Sequence, residues 1–91
     1  MVTADLEAQR RILNRLKRAS GQLTAVIAAV ESGGSCREVV TQLSAVSSAL
    51  DRAGFAIIAT AMKDCLVDPE AAEAEGGVTP AELEKLFMML A

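Results

Sequence analysis

Histidine, tryptophan and tyrosine are absent from these 91 residues, and proline, cysteine and phenylalanine occur twice each. Without histidine there is no Ser–His–Asp or Cys–His set to activate a nucleophile, so an enzyme is not expected. Two cysteines fall short of the four ligands of a structural zinc site. No glycine-rich loop follows a strand, and Gly33-Gly34 is placed to stop a helix rather than to cradle a phosphate. A basic-then-apolar leader is missing and no apolar run reaches the length of a membrane span, which predicts a cytoplasmic protein with no membrane partner. In that reducing compartment two thiols serve more often as reactive or metal-binding groups than as a staple. With Phe55 and Phe87 as the only aromatics, the apolar half of the chain is mainly Ala, Leu, Val and Ile, suited to close helix-on-helix packing. There is no repeat and no low-complexity tract. Residues 1–91 read as one all-α domain, small enough that self-association is an expected source of stability.

The longest proline-free stretch worth reading as one element runs from Ser35 to Cys65. Val40, Leu43, Leu50, Ile57, Ile58 and Ala61 recur at helical spacing and predict a helix over about 36–66. Ser35-Cys36-Arg37-Glu38 is a capping-box sequence, with Ser35 as N-cap. It puts Cys36 in the first turn, where free N–H groups and the positive end of the helix dipole favour a thiolate. A small buried hydrophobe is the plain alternative for any free cysteine. Small residues fill the middle, from Ser44 and Ala45 to Ala53, Gly54 and Ala59, and permit close approach of another backbone. Cys36 and Cys65 are separated by 65 − 36 = 29 positions. At 100° and 1.5 Å per residue they share a face to within about 20° yet lie about 43 Å apart along the axis. A disulfide spans at most roughly 7 Å between Cα atoms, so the two thiols cannot meet within one straight helix. They meet if an identical helix lies antiparallel alongside, and a two-fold dimer makes that contact twice.

A first helix is predicted over about 4–32, starting near Thr3 or Asp5. Leu13, Leu16, Ser20, Leu23, Ile27 and Val30 form a heptad-like seam along it. Residues 8 to 30 carry Arg10, Arg11, Arg15, Lys17 and Arg18 and no acid, although the net charge of the chain is −3. Arg11, Arg15 and Arg18 fall together, roughly opposite the seam, and Arg52 of the second helix points away from the cysteine face, able to join them. A solvated face and a phosphate-binding face both remain open on this pattern, since attraction to nucleic acid depends on local charge within about a Debye length of 10 Å rather than on net charge. Downstream, Asp68-Pro69 can start a short extra turn, and 73–78 reads as a mobile acidic loop. Thr79-Pro80-Ala81-Glu82 is a second capping box opening a last helix over 80–90. Its Leu83, Leu86, Phe87 and Leu90 form one apolar face, and Met88 and Met89 are expected to pack rather than to bind a metal. The two thiols leave two chemistries: a sulfur–sulfur bond between chains, or low-coordinate binding of a soft ion such as Cu(I).

The run Asn14-Arg15-Leu16-Lys17-Arg18-Ala19-Ser20-Gly21-Gln22-Leu23, then Cys36, Gln42-Leu43-Ser44-Ala45-Val46 and Leu50-Asp51-Arg52-Ala53, closely resembles the copper-sensing operon repressor family over nearly the whole chain. The resemblance implies a three-helix protomer, an antiparallel dimer and a disc-shaped dimer-of-dimers homotetramer. It also implies repression from double-stranded operator DNA, ended when the sensor site is occupied. The family's DNA contacts carry over to Arg15 and Arg52, and further to Arg11, Lys17 and Arg18. Copper sensors of this family place a histidine four residues before the second cysteine, and here that position is Ala61. Persulfide-sensing repressors of sulfurtransferase operons keep both cysteines and lack the histidine. The pattern here is similar to that branch, which implies a Cys36–Cys65 dithiol shared between protomers, a reactive-sulfur signal and no cofactor. Cu(I) at Cys36 and Cys65 is the alternative within the family, and a helical interaction module without a DNA role is the alternative outside it.

Overall fold

A computed structural model describes residues 5–74 and 76–91. Four helices account for its regular structure: α1 (Leu6–Glu31), α2 (Cys36–Val67), α3 (Pro69–Ala74) and α4 (Pro80–Leu90). Together they form a slab of 53 × 25 × 15 Å. Thr3 and Ala4, where the first helix was expected to begin, and Glu75 of the expected acidic loop lie outside the described residues.

Local chemistry sets each boundary. The Asp5 carboxylate accepts from the N–H groups of Glu7 and Ala8 at 3.0 and 3.1 Å and starts α1. The bond from Ala8 is the main reason its pKa lies below the ordinary carboxylate value. At the other end Gly33 adopts a φ of 75°. The Gly33 N–H then reaches the Val30 carbonyl and the Gly34 N–H the Ala29 carbonyl, a Schellman termination that only a residue tolerant of positive φ completes without strain. Ser35 starts α2 by accepting from the Glu38 N–H at 3.2 Å, one arm of the expected box.

The four-residue connection folds α2 back against α1 as an antiparallel hairpin. Its seam differs from the one the leucines suggested. α1 buries Ala8, Ile12, Ala19 and Val26, and α2 meets it with Val46 and with Ala53, which is fully covered. Alanine at three of these positions brings the two backbones close, leaving Leu13, Leu16, Leu23, Ile27 and Val30 on an adjacent, exposed face. Exposed Val40, Leu43 and Leu50 continue that apolar surface onto α2. For this reason α2, contrary to the expectation from its apolar runs, is long and apolar enough to cross a membrane by length and composition alone. It carries the charged residues Arg37, Glu38, Asp51, Arg52, Lys63 and Asp64 and packs on α1 along one side, and its most apolar stretch is only 17 % buried within one chain.

A fourth helix replaces the expected three-helix chain. Asp68 caps α3 by accepting from the Ala71 N–H at 3.1 Å. The segment expected to be a mobile loop is in part helical, and its glycines make a second Schellman turn: Gly76 has a φ of 79°, and the Gly77 N–H donates to the Ala72 carbonyl at 2.7 Å. α4 then opens on a full capping box between Thr79 and Glu82. It lies on the C-terminal half of α2, with Leu83 buried against Ile58 and Cys65. The Phe87 ring sits 5.8 Å from that of Phe55, and Leu90 packs on Gly54, where a Cβ would come within 2.9 Å of it. Met88 and Met89 do not pack as expected. They project from the far side of α4, and Met89 is 80 % exposed.

Candidate thiol site and nucleic-acid interface

The two cysteines occupy opposite ends of one helix and very different surroundings. Cys36 stands exposed in the first turn of α2 beside the Ser35 cap. Cys65 is 7 % exposed, enclosed by Ile58, Leu83, Ala61, Ala72 and Val78. Its thiol donates to the Val78 carbonyl at 2.8 Å. With 65 − 36 = 29 steps of continuous helix from one to the other, the thiols are about 43 Å apart along the axis, and no single chain brings them together. Ala61, one turn before Cys65, offers no donor atom to a metal. Among the described residues no three His, Cys, Asp or Glu side chains gather as metal ligands. The donor set of one chain therefore does not fit a Cu(I) centre.

The hairpin separates apolar from basic surface. Counting 100° per residue from the α1–α2 contact, the exposed leucine seam of α1 and the Cys36–Val40–Leu43–Leu50 stripe of α2 turn to the same side of the hairpin. Arg11, Arg15 and Arg18 turn to the other side, and so does Arg52. Arg15 lies 31 − 15 = 16 residues before the end of α1 and Arg52 lies 52 − 36 = 16 residues after the start of α2. The two are therefore level, each about 24 Å from the turn. All four arginines are exposed. Lys17 does not join them: the same count puts it on the outer edge of α1, away from α2. The sequence marked Leu83 as part of an apolar face and Gly54 as a place for close approach, without saying that they seat α4 on α2 near Cys65, and it gave no role to Val78. The glycine pair at 76–77 was the available signal for the turn that carries Val78 there.

A family model described as metal-sensitive transcriptional repressor matches residues 8–91. Similar proteins include the copper-sensing transcriptional repressor CsoR of Mycobacterium ulcerans, 41% identical over 59 residues, which are 65% of this chain and 50% of that protein. CsoR of Mycobacterium tuberculosis is 35% identical over 65 residues, 70% of this chain and 55% of that protein. The uncharacterized protein YrkD of Bacillus subtilis is 49% identical over 37 residues, 41% of this chain and 59% of that protein. The chain thus spans about half the length of the curated relatives it matches. No solved structure matches it. With the family model covering all but the first seven residues, the chain belongs to the metal-sensitive transcriptional repressor family.

Proposed function

We propose that this chain, a single domain over 1–91, represses transcription by binding duplex DNA through Arg11, Arg15, Arg18 and Arg52, with Lys17 at the margin. Release follows when Cys36 of one copy and Cys65 of a second are joined by reactive sulfur. The separation of the two thiols along one unbroken α2 carries this reading, because it makes the site incomplete in any one chain. The exposed apolar side that bears Cys36 supports assembly into an antiparallel dimer and, through further exposed apolar surface, a tetramer.

In the chemical step, Cys36 takes the outer sulfur of a low-molecular-weight persulfide, RSSH, and the thiol RSH leaves. Cys65 of the second copy then attacks Cys36 Sγ, forming the interchain S–S bond and expelling the carried sulfur as hydrogen sulfide. Both thiol protons are accounted for, one in RSH and one in hydrogen sulfide, and the persulfide is the oxidant. The names of the relatives support a second reading, Cu(I) bound between the same two thiols. A single titration distinguishes them. Operator DNA is added to the reduced protein, then persulfide or Cu(I), with release followed beside non-reducing electrophoresis. Release with an interchain link under persulfide is the expected result. Stoichiometric release by Cu(I), with no link under persulfide, overturns the sulfur reading in favour of copper. No salt-sensitive DNA binding at all makes the chain an interaction module.

A further inference from the structure

Resting on the sulfur-sensing reading for its trigger, we infer that the Cys65 thiol is a latch: its bond to the Val78 carbonyl holds the N-terminal end of α4 on α2, and converting that thiol to a disulfide releases it. Three observations converge on this. Cys65 donates to Val78 at 2.8 Å, and Val78 directly precedes Thr79, the N-cap of α4. The connector that presents this carbonyl is fixed from the other side by the Gly77 bond to Ala72. The thiol itself is buried under the same connector and under Leu83, so a second copy's Cys36 reaches it only when the connector moves aside.

The chemistry makes the latch one-way. A thiol has one proton to donate, and the step that forms the Cys36–Cys65 bond consumes it. The disulfide sulfur has nothing to offer the Val78 carbonyl, which must then turn to water or stay unsatisfied, a cost that favours opening. α4 runs from Cys65 back to Gly54, where Leu90 is seated, and Gly54 is two residues from Arg52. One strut of about 16 Å thus reaches from the sulfur end of α2 to the level of the basic side. Its release uncovers the face of α2 between Cys65 and Gly54, the face opposite Arg52.

Hydrogen–deuterium exchange of the full chain tests the latch without depending on the inducer. Reduced native protein is compared with Cys65→Ser, which keeps a donor, and Cys65→Val, which fills the space without one. Amides of 79–90 are expected to exchange within twofold of native in Cys65→Ser. In Cys65→Val they are expected to exchange about fivefold faster, the scale of one lost hydrogen bond, with those of 6–31 unchanged. Equal exchange in all three proteins, or equal acceleration in both variants, overturns the latch. Native protein treated with persulfide supplies the second arm. An interchain link with faster exchange in α4 supports the proposal, and a link with α4 still protected refutes it while leaving the sensing reading intact. If no link forms, the sensing reading fails and the Ser/Val comparison alone decides the latch.

Discussion

Asp5 is the residue whose titration the structure ties to folding. Its carboxylate is the N-cap of α1 and its pKa is lowered from 3.8, first by the hydrogen bond from Ala8. A carboxyl that holds its proton less tightly when folded stabilises the fold fully above its unfolded pKa, and that contribution is lost as pH falls through the folded value. The first turn of α1 is therefore expected to fray below about pH 3.8, read as exchange of the Glu7 and Ala8 amides. Asp5→Asn, a neutral cap, should remove the pH dependence while keeping the turn. On the basic side, Arg15→Ala and Arg52→Ala should each weaken DNA binding and flatten its dependence on salt by about one unit of logarithmic slope. Lys17→Ala, from the outer edge of α1, should do less. Equal slopes in the native protein and both arginine variants would place the DNA surface elsewhere.

At the scale of elements, packing of α4 on α2 is the feature most open to a single change. Gly54→Val puts side-chain atoms where Leu90 now sits, since even a Cβ there would lie 2.9 Å from it. Leu83→Ala opens a hole beside Ile58 and Cys65 and should lower stability by roughly 2–4 kcal/mol. Both should expose Cys65, so its alkylation rate should rise well before α1 or α2 unfolds. An unchanged rate would mean that α4 does not guard the thiol. The helix ends were readable in advance because caps are local: Ser35, Thr79, Gly33 and their partners lie within a few residues of one another. The placement of α4 was not readable, because an apolar face on an 11-residue helix does not say which part of α2 it will cover. The leucine seam shows the same limit. Its period was plain, but small residues at Ala8, Ala19 and Ala53 let the hairpin close on a neighbouring face. Nothing in the local sequence marks the carbonyl of Val78 as the partner of Cys65, since that contact spans 13 residues and depends on the turn at 76–77.

The whole molecule has two surfaces of opposite character, an apolar side bearing Cys36 and a basic side bearing the arginines. Exposed Leu16, Leu23, Ile27, Leu43 and Leu50 make the apolar side larger than scattered surface hydrophobes account for, and burial against further copies is the expected outcome. Leu43→Glu should shift the sedimentation distribution towards monomer and abolish the interchain link, whereas Met89→Glu, at an already exposed site, should do neither. The separation of Cys36 and Cys65 was legible in the sequence because it follows from helix geometry alone. Their unequal exposure was not, because Ala72, Val78 and Leu83 create it only once the turn after α3 has brought α4 back onto α2.

The most direct measurement of a shared thiol site uses two single variants that each keep one cysteine. Cys36→Ser and Cys65→Ser proteins are unfolded together, refolded as an equimolar mixture, treated with persulfide and resolved by non-reducing electrophoresis and intact mass. The expected result is a covalent dimer in the native protein and in the mixture, joining Cys36 of one chain to Cys65 of the other, and none in either variant alone. A mixture with no more dimer than the separate variants, while the native protein links fully, would contradict a site built from Cys36 and Cys65 of different copies.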